Sequence, residues 1–301
     1  MILSPHKHST SVPVSVKMCI TFLHVDSDPG AAYKLVLAMN RDEFSKRPTQ
    51  PACWRSGLLG GWDLQPGREG GTWLAIDRRG RLGFLTNIFT GGVVDPKAQG
   101  RGFLVVDWLG GKLTAEEYLA GLAEDEKSYN PFNLVLLERD SAGLYSVSRY
   151  TRGLPGHTDN FGPLTQSQGT FGVGNHPQHQ PYNKSVWGTK RLAELVQHTR
   201  KEEELVLELE RMMTDCSPHW PDPQIARQSS CHGQVGPFKQ FGEQLSSVFV
   251  DLSEMGYKTR TTTFVLVDNK DTVTFIEKNH IENRTVNRFQ FKCDSEEIAG
   301  K

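Results

Sequence analysis

Short apolar runs with a two-residue period, separated by turn-forming residues, occupy both ends of the chain, and runs at helical spacing occupy the middle. Residues 19–25 form the first strand pattern, Asp26-Ser27-Asp28-Pro29-Gly30 a turn, and residues 33–39 its hairpin partner. That hairpin delivers Asn40-Arg41-Asp42-Glu43 to a strand end, where four successive polar residues are expected to form a loop. Whether this loop folds back toward the start of the first strand is left open by the pattern. Residues 72–77 and 82–86 predict a second hairpin across Arg78-Arg79-Gly80, with Asn87 at its end. Further strands are expected at 133–138, 143–149, 170–174, 246–251, 261–267, 272–277 and 286–292. The strand at 170–174 runs into Asn175-His176-Pro177.

Helices are expected at 102–109 and from Thr114, a good N-cap with Glu116 and Glu117 in its first turn, to about residue 123. Trp187, Leu192, Leu195 and Val196 give 184–199 a helical stripe, and Leu205, Leu207, Leu209 and Met212 give 202–213 another. Such stripes are core faces. The proline-, serine- and glutamine-rich stretch 214–240 reads as a long surface excursion. Strands at both ends with helices between them predict one domain of stacked sheets covered by helices over 18–301, behind a disordered extension at 1–17.

Composition narrows the function classes. A net charge of -1 over 301 residues gives no basic patch for nucleic acid or an anionic membrane. No apolar run approaches the roughly 18 residues needed to span a bilayer. The five cysteines are scattered with no CxxC pair, which points to free thiols in a reducing, cytoplasmic setting. Cys216, His219, Cys231 and His232 have the spacing of no standard zinc finger, so no metal is expected, and no cofactor either. The glycines of Gly60-Gly61-Trp62-Asp63 and Gly67-Arg68-Glu69-Gly70-Gly71-Thr72-Trp73 mark tight turns or close approaches, but no GxxxxGK[ST] phosphate loop is present. Residues 1–17 contain two lysines, no arginine and no acid, unlike a secretory signal or a mitochondrial presequence; a tail, or a start upstream of a true start at Met18, accounts for them.

Cys19 directly follows Met18. With Met18 removed, one residue would carry a thiol of reference pKa about 8.5 and an α-amine of about 7.7 to 8.0, a nucleophile and a base together. With Met18 in place the amine is an amide and that chemistry fails. A cysteine at a strand start is otherwise a small buried hydrophobe.

Six motifs in order, Met18-Cys19 with Asn40-Arg41-Asp42-Glu43, Gly70-Gly71-Thr72-Trp73, Leu85-Thr86-Asn87, Gly100-Arg101-Gly102, Phe132-Asn133-Leu134 and Thr259-Arg260-Thr261, resemble the NRDE family, and within it the branch tied to transport and Golgi organisation. The resemblance implies an α+β fold, the αββα sandwich of the N-terminal-nucleophile hydrolases. It also implies a part in Golgi organisation, protein secretion and lipid or haem homeostasis, with a cytoplasmic, mitochondrial or Golgi-associated location. A more distant similarity to the cholylglycine hydrolases implies Cys19 as nucleophile, Asp42 holding its amine, Asn87 and Asn175 as oxyanion donors, and Arg260 as a nearby cation. Met39 stands where those hydrolases carry an arginine. Two functions follow: a binding protein taking an acyl-CoA, lipid or haem through Asn40, Arg41, Asp42, Glu43 and Trp73, with Lys46 and Arg47 available for acidic groups, or a cysteine amidohydrolase or thioesterase. Haem gains little from His176 and His179, which are expected in a polar loop.

Overall fold

The computed structural model describes residues 18–90, 94–125, 129–153, 161–230, 238–281 and 284–294, so the extension expected at 1–17 lies outside the described residues. The chain runs β1 (Ile20–Val25), β2 (Tyr33–Phe44), β3 (Thr49–Arg55), β4 (Leu58–Asp63), β5 (Leu74–Asp77), β6 (Leu82–Asn87), α1 (Phe103–Gly110), α2 (Ala115–Glu124), β7 (Phe132–Arg139), β8 (Tyr145–Arg152), β9 (Phe161–Gln166) and β10 (Gly169–Val173). It continues through α3 (Asn183–His198), α4 (Glu202–Met213), α5 (Pro223–Ser230), α6 (Phe238–Leu245), β11 (Asp251–Leu252), β12 (Tyr257–Asp268), β13 (Thr272–Asn279) and β14 (Val286–Lys292). All strand pairs in both sheets are antiparallel. One sheet has the order β10-β1-β2-β12-β13-β14 with β11 beside β12, and the other is the meander β3 to β9.

Three apolar layers explain how these pieces stack. Leu23, Leu37, Met39 and Val265 of the first sheet meet Leu59, Ile76, Phe84 and Val135 of the second. On the far side of the first sheet Phe22, Val36, Ala38 and Phe264 pack on Leu192, Leu205 and Leu209 of α3 and α4. On the far side of the second, Ala75, Leu134 and Leu136 pack on Val105, Trp108 and Leu119 of α1 and α2. The result is the αββα order that the resemblance implied. The central strands read as nearly continuous apolar runs because both of their faces are covered. α2 is closed by the expected cap: the Thr114 hydroxyl accepts from the Glu117 amide, and the Glu117 carboxylate accepts from the Thr114 amide.

The structure departs from the sequence pattern in several places. The polar quartet 40–43 is strand, not loop, because β12 supplies partners past the apolar part of β2: Thr259 pairs with Asp42, Lys258 with Glu43 and Tyr257 with Phe44. The described residues of the stretch 214–240 include α5 and the start of α6 rather than a loose excursion, and 231–237 lie outside the described residues. Asp222 accepts from the Gln224 and Ile225 amides and so caps α5, whose Ile225 is buried. Residues 246–250 are not strand, since Ser246 and Ser247 close α6 instead and only Asp251–Leu252 pairs. The β3–β4 hairpin escaped notice, although its Ser56-Gly57 turn has φ of 49° and 79°, the left-handed values a two-residue hairpin turn requires.

Asn40 ties β2 to the helical layer. Its side-chain amide donates to the Met213 carbonyl at 2.8 Å and the Val248 carbonyl at 3.0 Å, and its oxygen accepts from the Thr262 hydroxyl at 2.7 Å. All of this is buried, so Asn40→Ala strands two carbonyls and a hydroxyl. The expected loss is on the order of 3 kcal/mol of unfolding free energy, read from urea denaturation; a loss below about 0.5 kcal/mol would show that the three bonds do not hold the layers together.

Candidate functional site

The β1–β2 register builds the site. Ile20 pairs with Asn40 in an antiparallel ladder, so the start of β1 lies beside the end of β2 and Cys19 beside Arg41 and Asp42. No folding back of a loop is needed. Side chains then alternate between faces. Arg41 and Glu43 continue the inter-sheet face of Leu37 and Met39, together with Cys19, while Asn40 and Asp42 continue the helix-facing side of Val36 and Ala38.

On the inter-sheet side a cavity of about 430 Å³ opens onto Cys19. Arg41, Glu43, Trp73, Asn87 and the carbonyl side of Asp42 contribute to its wall. The Arg41 guanidinium lies 4.0 Å from the centroid of the Trp73 ring, a cation–π contact, and 3.9 Å from Glu43. Glu43 is also 3.6 Å from Arg47, which pairs with Asp63 at 2.6 Å. The Cys19 thiol is 7% exposed and donates to the Asp42 carbonyl at 3.8 Å. Burial, reinforced by the Asp42 carboxylate, pushes this thiol up to about 11, so it is protonated at neutral pH.

On the helix side lies a packed apolar cluster. The Met18 side chain is fully buried among Phe89, Tyr182, Ile225, Leu245, Val250 and Tyr257, and its amide donates to the Tyr257 hydroxyl at 2.7 Å. Asp42 has one carboxyl oxygen accepting from the Thr259 hydroxyl at 2.7 Å and the other buried with no partner. Burial raises this acid to about 7 against the opposing pull of Lys184. Lys184 itself is 1% exposed, donates to the carbonyls of Leu245 at 2.9 Å and Ser247 at 3.0 Å, and is drawn down to about 8 by burial.

Of the residues singled out in the sequence, Cys19, Arg41, Asp42, Glu43, Trp73 and Asn87 meet at the cavity. Asn40 faces the helices instead. Asn175 stands behind Asn87, donating to its carbonyl, with its own side-chain oxygen buried and unpartnered. Arg260 donates to the carbonyls of Phe44 and Arg47 and so braces the exit of β2. His176 is fully buried, bonded to Ser185, and pushed down to about 4 by burial. Among the described residues no group of three His, Cys, Asp or Glu side chains could hold a metal; Cys231 and His232 lie outside them. Lys184 and Tyr257 carry no motif in the sequence, and Arg68 and Arg101 stand in glycine-rich motifs to which the sequence alone attaches no role. For Lys184 a faint signal exists, a lysine in line with the buried face that Leu192 and Leu195 continue.

The sequence profile of the Transport and Golgi organisation 2 family matches residues 18–282. The chain belongs to that family. It is 33% identical over 290 residues to the mouse Transport and Golgi organization 2 homolog, an alignment covering 92% of this chain and all of the mouse protein. With the human homolog it shares 34% over 282 residues, covering 89% and 98%, and with the Drosophila protein 34% over 276 residues, covering 87% and 92%. Among solved structures it is similar to two mutant forms of the conjugated bile acid hydrolase from Clostridium perfringens, each with a TM-score of 0.43 and 11% identity. These cover 92% and 89% of this chain and 97% and 92% of theirs. Among the described residues no helix is long and apolar enough to cross a membrane.

A pH dependence of this chain's stability follows from Asp42. Its folded value of about 7 exceeds the ordinary 3.8, so the folded state holds the proton more tightly and this group's contribution to stability falls as pH rises between about 4 and 7. Asp42→Asn removes that slope. The variant is expected to gain on wild type from pH 5 to 7, by at most about 1.4 kcal/mol per pH unit, in thermal melts at several pH values. A stability difference that stays flat or shrinks with pH would mean that Asp42 is ionised in the fold.

Proposed function

We propose that this member of the Transport and Golgi organisation 2 family binds an acyl-bearing ligand, an acyl-CoA or a lipid, in the cavity at Cys19 without turning it over, and serves Golgi organisation, secretion and lipid homeostasis in that way. The observation that carries the reading is the pairing of an open cavity of about 430 Å³ with a disarmed nucleophile. The thiol facing the cavity is held protonated, and the amine that would activate it is an amide joined to a buried Met18. Haem fits less well, because no histidine lines the cavity. The test is titration with palmitoyl-CoA followed by calorimetry. Cys19→Ala is expected to bind within about twofold of wild type, while Arg41→Ala, which loses the cation at the wall, weakens binding about tenfold. Absence of palmitoyl-CoA binding, or its abolition by Cys19→Ala, would sink the reading.

One observation favours a second reading, a cysteine amidohydrolase or thioesterase. The free Asp42 carboxyl oxygen, buried beside the start of β1, is an acceptor suited to an α-amine at residue 19. A chain beginning at Cys19 is expected to hydrolyse acyl amides or thioesters that the chain retaining Met18 leaves intact. Equal turnover by both chains, or by neither, removes this reading.

A further inference from the structure

Two arginines beside glycines meet in the wall of the cavity, one from the loop Gly67-Arg68-Glu69-Gly70-Gly71 and one from Gly100-Arg101-Gly102. The glycines make the meeting possible. The Thr72 amide donates to the Gly102 carbonyl at 3.1 Å, and a Cβ on Gly71 would stand 3.3 Å from the Gly102 Cα. A Cβ on Gly100 would fall 2.6 Å from a terminal nitrogen of Arg68, so that guanidinium lies over the bare backbone next to Arg101.

Neither arginine is neutralised. Arg68 donates to the Ala98 carbonyl at 3.2 Å, and Arg101 to the carbonyls of Pro131 at 2.7 Å and Asn130 at 3.3 Å. Among the described residues neither forms an ion pair, whereas the neighbouring Arg41 and Arg47 are matched by Glu43 and Asp63. Two like charges held together by neutral carbonyls are electrostatically unfavourable. Burial and the guanidiniums of Arg68 and Arg47 pull Arg101 down to about 10, which still leaves it charged at neutral pH. Both arginines also line a second cavity of about 450 Å³, which shares Glu43, Arg47 and Asn87 with the first and continues past Ile88 and Pro131.

We infer that Arg68 and Arg101 form a phosphate subsite, gripping a phosphoryl or diphosphoryl group in the middle of a ligand that extends toward Cys19 on one side and into the second cavity on the other. The inference rests on the reading of this cavity as a ligand site and adds the class of ligand. A phosphoryl dianion answers both charges, and the guanidinium forks match its oxygens. Arg47 and Arg41, already paired, position the ligand's neighbours rather than its charge.

The probe is inorganic pyrophosphate, titrated into the full chain by calorimetry. Wild type is expected to bind it, and Arg68→Gln to weaken binding about tenfold or more. Arg101→Lys, which keeps the charge and the contacts to carbonyls but loses the fork, is expected to weaken it as well. Arg211→Gln, on the exposed side of α4, is expected to leave it unchanged. A second arm uses phosphatidic acid vesicles against phosphatidylcholine vesicles: binding to the former that Arg68→Gln abolishes and pyrophosphate displaces assigns the phosphate to a lipid headgroup, and pyrophosphate binding without it assigns a soluble ligand. No binding of either probe, or binding that Arg68→Gln does not change, overturns the subsite. Palmitoyl-CoA binding that is indifferent to Arg68→Gln overturns the subsite and leaves the ligand reading standing. Pyrophosphate binding without palmitoyl-CoA binding does the reverse.

Discussion

Everything at the site depends on the register of one strand pair. Ile20 lies opposite Asn40, and because side chains alternate, the quartet 40–43 is divided between two faces of the same sheet. Arg41 and Glu43 look into the space between the sheets with Cys19. Asn40 and Asp42 look toward the helices with Met18. A slip of one residue would exchange the two sets, putting Asn40 and Asp42 in the cavity and two charged groups against Lys184 and the helix ends. The hydrogen bonds of Asn40 to Met213, Val248 and Thr262 oppose such a slip, since each would lose its partner.

Burial, more than any ion pair, sets the protonation of the site. For Cys19, Asp42 and Lys184 alike the largest influence is removal from water, and it drives each toward its uncharged form: the thiol up, the acid up, the amine down. Asp42 and Lys184 attract one another, and that attraction limits both shifts. Burial thus draws the acid and the amine toward each other, from opposite ends of the pH scale. The cavity side is different. There the charges are arginines, which burial lowers without discharging, and their signs must be balanced by carboxylates or by a ligand.

The layered fold was legible in the sequence because apolar periodicity was strong in β1, β2, β12 and β13 and in α3 and α4, where 202–213 was read with the bounds the structure shows. The extent of β2 was not legible. Four polar residues in a row carry no apolar alternation, and only the tertiary partner β12 keeps them extended. The helices at 223–230 and 238–245 were obscured by proline and serine, although Asp222 ahead of Pro223 is a helix start by its chemistry. For the site, the resemblance brought Cys19, Arg41, Asp42, Glu43, Trp73 and Asn87 together, and the structure gathers them around one cavity. Asn40 is different in kind: a residue of the same motif whose side chain holds the fold. Lys184 comes from a distant helix that no motif marked, and although Arg68 and Arg101 each stand in a glycine-rich motif, only the fold brings the two together.

The two sides of the strand β2 are separated by one peptide unit. The Cys19 sulfur and the Asp42 carbonyl face the cavity, while the Asp42 carboxyl faces the apolar cluster around Met18. Met18 packs within that cluster, and the backbone of residues 18 and 19 leads from it to the cavity side. Its nitrogen is the atom at issue. Held as an amide it separates the two sides, and the protein offers a ligand a shaped, arginine-lined wall and a protonated thiol. Freed as an amine it would place a base between an unpartnered carboxyl oxygen and the thiol, which joins both sides into one site. The proposed binding protein and the proposed hydrolase therefore differ by a single covalent bond, the Met18–Cys19 peptide, and not by any rearrangement of the sheets.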